Sequence, residues 1–436
     1  MPVNRERVVF GVVLALAAYA SNFRSLIFWE LHPGFGDFPD QAAIELAYWL
    51  LAALLVLWLL LKEGNLRNYR QNWRRQPWPI AFLLICSLSL FWSSDHAVSF
   101  HRASILIAST WVAAYIGMRC DVEEFLHYLS WFGALVVLAA AYMALTDPLF
   151  GIDRAYGPAV WRGIFWNKNH LGSVGALFSA VLLLRLINIR FTAGRGTRAW
   201  VILAYAGSLA VVYKSHSAAG YLLVLILHVT VFLSLLWIAF AERMQRWHYI
   251  LAAMAAIVVI AVALADLNAI LGAFNRDITM TGRTKLWAYL LEEVVSRRPL
   301  LGYGFGSLWG DSNFRVLANE KLGFYPVIGD NGFMDILLGV GAVGLAAFML
   351  VYFAALKGAI RCLVREKNVA GCLPLLIMSF ALFSNISFSL LVEIEVMVWG
   401  LIVAVLFTAT KRAEPFCSAD GGLSIPVRRR EALDQR

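Results

Sequence analysis

Along this chain, apolar runs close to the roughly 20 residues that span a bilayer alternate with short polar connections. About twelve such runs can be counted, beginning with 8–28 and 41–61, passing a ninth near 248–265, and ending with three after residue 330. The alternation predicts an all-α, polytopic membrane helical bundle over residues 1–410, broken once by a long polar loop at 266–330. After Lys411 the apolar periodicity stops, and 411–436 reads as a disordered tail carrying Arg428, Arg429 and Arg430. The first run follows Arg5 and Arg7 and ends at Ala18, Tyr19 and Ala20, the shape of a leader cleavage site. In a polytopic chain the same run serves as a first anchor, which is the favoured reading.

Charge orients the bundle. The connection KEGNLRNYRQNWRRQPW (62–78) holds Lys62, Arg67, Arg70, Arg74 and Arg75, so the positive-inside rule puts it in the cytoplasm together with the amino terminus. Alternation from there places SSDHAVSFHR (93–102), 146–170 and KSHSAAG (214–220) outside, and 118–125, RFTAGRGTR (190–198) and 241–247 inside. The 266–330 loop then falls on the periplasmic side of a bacterial inner membrane. It is longer than the roughly 60 residues over which loop charge sets orientation. KGAIRCLVREKN (357–368) and the carboxyl-terminal tail return to the cytoplasm.

Composition agrees: 61% of the residues are hydrophobic and 15% charged, against about 25% charged in an average soluble domain. The net charge of +9 resides in short loops, so topology accounts for it and no nucleic-acid partner is implied. Cys86, Cys120, Cys362, Cys372 and Cys417 show no paired spacing, which speaks against a disulfide framework or a zinc site. There is no Walker loop, no Asp-x-Asp pair and no His/Cys cluster, so nucleotide-driven or metal-assisted chemistry has no support in the sequence.

Candidate chemistry gathers in the long loop and two shorter ones. Within the long loop, Leu286, Tyr289, Leu290 and Val294 recur at helical spacing, with Lys285, Glu292, Glu293 and Arg297 on the other face. Such a helix can lie in the membrane interface. Thr281 or Thr284 fits its cap, which sets Arg283 beside unpaired backbone N–H groups that attract phosphate. On the expected topology three polar clusters meet at the outer surface: Arg162, Asn167, Lys168 and Asn169; Lys214, Ser215 and His216; and the segment from Arg283 to Asp330. Arginine forks there would bind the oxygens of a lipid diphosphate in a bidentate way that lysine cannot copy.

Each of these residues also has a plainer reading. Arg283 fits a solvated loop arginine, Arg162 and Lys168 fit interfacial anchors, Asp330 before Asn331 fits a helix cap, and His216 fits a polar turn. The glycines at 302, 304 and 306 do not follow a strand, so turn chemistry explains them better than a nucleotide loop. Glu393 and Glu395 border the last span, where exposure is the simpler reading.

RGIFWNKNHLG (162–172), KSHSAAG, TGRTKLW (281–287), RRPLLGYGFG (297–306), DNGFMDILLGVGAVGL (330–345) and, more loosely, NISFS (385–389) resemble the O-antigen ligase and O-antigen polymerase superfamily. That superfamily includes exopolysaccharide polymerases of the ExoQ type, and the likeness runs over roughly residues 90–405, strongest over about 160–345. The resemblance implies transfer of a sugar chain from a polyprenyl (undecaprenyl) diphosphate carrier to an acceptor hydroxyl, without metal or nucleotide cofactor. The acceptor is another glycan chain or a lipid A core. By the same resemblance Arg283 handles the diphosphate and Asp330 stands where many members carry a histidine, the base, before an asparagine, here Asn331. In the short turn, where the family holds an arginine or lysine, Lys214 or His216 is the substitute. Arg162, Lys168, Asn169 and Asn331 complete the expected lipid-diphosphate contacts.

The chemistry is compatible with that role. Cleaving a glycosyl phosphate develops negative charge on the leaving diphosphate, which preorganised arginines stabilise. An incoming hydroxyl needs a proton acceptor, and a carboxylate is a weaker one than a neutral histidine. The competing reading is a transporter or flippase of similar span number, which would place ionisable or helix-breaking residues near mid-span. The spans are poor in charge and the polar residues lie outside them, which favours the enzyme.

Overall fold

The structure, a computed structural model, describes residues 5–18, 39–240, 283–326, 328–387, 389–391 and 396–409. The ninth span expected near 248–265, Thr281, Glu393, Glu395 and the 411–436 tail lie outside the described residues.

The described chain is helical, with one isolated antiparallel bridge between Ile152 and Trp161. α1 (Arg5–Ala18) packs on α2 (Pro39–Lys62), and α2 packs on α5 (His96–Arg119). Between them, α3 (Leu66–Arg75) and α4 (Trp78–Leu88) turn the chain. α6 (Val122–Thr146), α7 (Lys168–Ile189), α8 (Arg195–Ser215) and α9 (Ala218–Phe240) form a second group, and α7, buried over most of its length, is its centre. After the two short helices α10 (Arg283–Tyr289) and α11 (Ser312–Leu322) comes the long α12 (Gly332–Glu366). α13 (Leu373–Ser387) and α14 (Val396–Ala409) close the bundle, with α14 buried against α5 and α12.

Six helices among the described residues are long and apolar enough to cross a membrane, with windows at 44–62, 122–146, 168–189, 195–215, 218–240 and 332–366. Four shorter apolar helices accompany them, at Val8–Ala17, Trp78–Trp92, Ala370–Ile386 and Val396–Ala409. α5 is long enough but is not among the six. Its Ser99, Ser109 and Thr110 are buried inside the bundle and paired there, Thr110 accepting from Trp399 Nε1 at 2.7 Å. Small residues let the helices approach closely, as lipid-embedded bundles require. A Cβ on Gly172 would lie 2.6 Å from the Ser217 Cβ, and one on Gly220 would lie 2.8 Å from the Gly172 Cα.

The two ends of the bundle differ in charge. At one end Arg119 Nη1 pairs with Glu63 at 2.7 Å, Arg185 Nη2 lies 2.9 Å from His127 Nδ1, and Asp121, Glu123, Arg365, Glu366 and Thr408 line one polar cavity. The connections 62–78, 119–122, 190–195 and 366–373 therefore share that end. α3 lies across it as a strongly amphipathic helix. Its Tyr69 is buried, donating to the Trp111 carbonyl at 3.0 Å, and Trp73 packs on Phe407 at 5.0 Å, while Arg67, Arg70, Arg74 and Arg75 are exposed. The opposite end gathers 93–99, 146–170, 214–220, 283–335 and 389–391. The described connections alternate between the ends in the order the apolar runs require.

At this second end α12 is opened. Gly341 has φ +67° and ψ −170°, far from helical values, and the helix resumes after it. Two regular bonds, Ala342 N–H to Leu338 and Val343 N–H to Gly339, are replaced by four to the segment 299–304. Ala342 and Val343 donate to the carbonyls of Pro299 (2.8 Å) and Leu300 (3.2 Å), while Tyr303 and Gly304 donate to those of Leu338 (2.9 Å) and Gly339 (2.8 Å). The loop thus dips to a level about 13 Å along α12 from its start. Only glycine suits position 341: its dihedrals lie outside the range of L side chains, and a Cβ would collide with the Leu300 carbonyl. Gly302, Gly304 and Gly306, all at positive φ, are the turn residues that let the same loop double back, as expected. Replacing Gly341 with alanine should therefore cost on the order of 3 kcal/mol or more. This is measurable as a lowered unfolding temperature of the detergent-purified protein, whereas Gly194→Ala, in open space at negative φ and costing only the cap preference of α8, should lower it far less.

Candidate functional site

From Arg283 on, the described part of the long polar segment is a small folded cap. Leu286, Leu290 and Val294 are buried together with Leu308, Trp309, Phe314, Ala318 and Leu338, while Lys285, Glu292, Glu293 and Arg297 are exposed. The two faces read from the sequence are present. The apolar one is covered by protein, by 308–318 and the start of α12, rather than laid on lipid. The helical stretch continues past Tyr289 through a π turn at Leu290–Val294 and a 3₁₀ turn at Val295–Arg297.

This cap fixes Arg283 and Asp330 against each other. Arg283 Nε donates to Asp330 Oδ2 at 3.2 Å, and both side chains are less than a third exposed, 13% and 29%. One turn along the helix, Trp287 Nε1 donates to the Gly329 carbonyl at 2.8 Å, tying the helix to the residue before Asp330. Asp330 has φ +50°, a left-handed conformation that aspartate tolerates better than most residues. Asn331, not Asp330, is the helix cap. Its Oδ1 accepts from Phe333 N–H (3.0 Å) and Met334 N–H (3.2 Å), leaving the Asp330 carboxylate turned to the arginine.

The other two clusters are joined to each other. Trp161 N–H donates to the Lys214 carbonyl at 2.9 Å, and Ser217 Oγ donates to Asn169 Oδ1 at 3.0 Å. Asn167 caps α7 by accepting from His170 N–H at 2.9 Å. Lys168 is buried, its N–H bonded to Asp153 Oδ2 at 3.0 Å and its Nζ 4.0 Å from the Tyr156 ring centroid. Arg162 is 9% exposed; Nε donates to the Phe150 carbonyl, Nη1 to that of Trp166 at 3.4 Å, and the guanidinium lies over the Phe150 ring. Burial lowers its pKa from the ordinary arginine value, opposed by the charges of Asp153 and Asp147. Lys214 and His216 are exposed, and His216 ends α8 in a left-handed turn at φ +47°.

Sequence reasoning passed over Asp335. It is 2% exposed, in the first turn of α12, and accepts from three donors: Trp309 Nε1 (3.0 Å) and Gly329 N–H (2.9 Å) at Oδ1, and Ser389 Oγ at Oδ2. The available signal was a second aspartate standing inside the apolar run that opens the span, where a charged group needs a partner. Asn385 plays a related supporting part. Buried, it accepts from Leu390 N–H at 2.7 Å, and it lies so close to Gly332 that a side chain at 332 would overlap its Oδ1. Asn385 and Ser389 are thereby packed against the start of α12. Among the described residues, no group of three His, Cys, Asp or Glu side chains is placed to hold a metal ion.

Residues 201–349 match the family model described as O-antigen ligase, a stretch that contains Lys214, His216, Arg283, Asp330 and the opened part of α12. Over 395 residues the chain is 28% identical to the exopolysaccharide production protein ExoQ of Rhizobium meliloti (strain 1021), covering 86% of this chain and 83% of that one.

The site divides into side chains buried and bonded within the protein and side chains exposed at its surface, and stability should follow that division. Arg162→Lys, which cannot keep both carbonyl contacts, should lose about 1–3 kcal/mol in thermal unfolding. Lys214→Ala should stay within about 0.5 kcal/mol of the unsubstituted protein.

Proposed function

We propose that this chain, which belongs to the O-antigen ligase and polymerase superfamily, transfers a glycan from a polyprenyl diphosphate carrier to an acceptor hydroxyl at the less basic end of its bundle. The observation that carries this reading is the contact between Arg283 Nε and Asp330 Oδ2 at 3.2 Å. It sets a cation and a proton acceptor within reach of one substrate. Arg283 uses Nε for Asp330, so its two terminal nitrogens face the diphosphate oxygens as a fork. Charge that builds on the leaving diphosphate as the sugar–oxygen bond breaks is met by that guanidinium. Asp330 takes the proton of the attacking hydroxyl as the new glycosidic bond forms. Lys214 extends the cationic surface along the carrier headgroup, with His216 exposed beside it as a polar contact, while Arg162, Lys168, Asn169 and Asn331 hold the loops that frame it.

The reaction in this proposal needs no metal or cofactor, since proton transfer and charge stabilisation both come from side chains. The basic end, with the four exposed arginines of α3, is the cytoplasmic one by the positive-inside rule. The transfer site then faces the periplasm of an inner-membrane protein. Likeness to a protein named for exopolysaccharide production favours a second carrier-linked chain over a lipid A core as acceptor.

Purified protein given a polyprenyl diphosphate oligosaccharide should release free polyprenyl diphosphate and lengthen the glycan, with the rate unchanged by EDTA. Arg283→Ala and Asp330→Asn should each lower kcat by about 100-fold or more while the proteins still insert in the membrane. Movement of the intact lipid across vesicles with no glycosidic product would show a flippase instead.

A further inference from the structure

We infer that Asp335 is a positioning residue for this transfer, holding the Asp330 carboxylate in register with Arg283; the inference rests on the reading of Asp330 as the base. Asp335 touches neither Arg283 nor the face open to substrate. It acts on the peptide just before Asp330. Its Oδ1 accepts the Gly329 N–H at 2.9 Å, and the other side of that residue, the Gly329 carbonyl, accepts Trp287 Nε1 at 2.8 Å. Gly329 is thus held from both faces, by α12 on one and by the Arg283 helix on the other. The fit is close: a Cβ on Gly329 would lie 2.6 Å from Asp335 Oδ1, so the backbone rests directly on the carboxylate.

Two further donors keep that carboxylate from turning. Trp309 Nε1 reaches Oδ1 at 3.0 Å from the cap, and Ser389 Oγ reaches Oδ2 from the segment after α13. Three parts of the chain distant in sequence therefore converge on one buried group. Asp330 itself sits at φ +50°, a conformation that an unconstrained aspartate would leave. With the Asp335 bond lost, the Trp287 bond to the Gly329 carbonyl would be left to hold that turn from one face alone. Displacement of a reacting group by about 1 Å costs on the order of 100-fold in rate.

The bonds also say what a substitute must supply. Both donors that matter for Gly329 and Trp309 converge on a single oxygen. In Asp335→Asn the amide oxygen can occupy that position, while the amide nitrogen takes the place of Oδ2 and donates to the Ser389 hydroxyl. Bonds to a neutral acceptor are about half as strong as those to a carboxylate, but their geometry survives. A role in positioning is rescued by asparagine, whereas a role for the negative charge or for proton exchange at 335 is not.

The experiment measures kcat and KM for the carrier-linked donor with Asp335→Ala, Asp335→Asn, Trp309→Phe and Asp330→Asn in full-length protein reconstituted in lipid. We expect Asp335→Ala to lower kcat about 100-fold with the donor KM little changed. Asp335→Asn should stay within about tenfold of the unsubstituted rate, and Trp309→Phe should fall between. Asp335→Asn as inactive as Asp335→Ala would overturn the inference, and so would full activity in Asp335→Ala beside an inactive Asp330→Asn. Full activity in Asp330→Asn would instead overturn the base assignment beneath it. Should Asp335→Ala fail to accumulate in the membrane, Trp309→Phe decides: an intermediate kcat at unchanged unfolding temperature supports positioning, and an unchanged kcat refutes it.

Discussion

A transmembrane helix can be opened only if something takes over its backbone bonds, because an unpaired N–H or carbonyl in a lipid-facing bundle costs several kcal/mol. The segment 299–304 meets that demand by pairing with Leu338, Gly339, Ala342 and Val343. The rest of the functional end follows from this exchange. It anchors the long loop to the bundle from inside, lets the cap of Leu286, Leu290, Val294 and Trp309 pack on Leu338, and so delivers Arg283 to Asp330. A helix that ran straight through Gly341 would leave the loop tethered at its ends alone.

Much of this was legible in the residues. The all-helical, multi-pass character and the two faces of 283–297 follow from period and sign, because a lipid environment leaves a long apolar run few alternatives to a helix. The candidate pair Arg283 and Asp330 was reached by likeness to a family, and the structure places the two in contact. What the sequence did not display was the break in α12. The run DILLGVGAVGL reads as one apolar helix, since glycine is tolerated in membrane helices and nothing in hydropathy distinguishes a residue at φ +67° from a helical one. RRPLLGYGFG and DNGFMDILLGVGAVGL therefore stood as separate motifs, although their backbones are bonded to each other.

Asp335 was missed for a related reason. Its importance is a matter of convergence, with donors 26 residues before it in Trp309 and 54 after it in Ser389, and no periodicity reports that. In the opposite sense, Arg162 and Lys168 stood out in the sequence by their charge. Yet the Arg162 guanidinium is occupied with the carbonyls of Phe150 and Trp166, and the Lys168 ammonium lies over the Tyr156 ring. Charge marks where a loop is; burial and bonding determine what each charge does there.

The amphipathic helix at the far end has a bearing on this one. α3 is fastened to the bundle by Tyr69 and Trp73 and holds Arg67, Arg70, Arg74 and Arg75 outward, where headgroups retain them. In a bilayer such a helix would act as a keel, bearing on how deeply the molecule rides. Were Arg283 and Asp330 to lie at the level of the opposite headgroups, their height there would be set from across the bundle, and a change in bilayer thickness would shift protein and phosphates against each other without altering a single contact between the two residues.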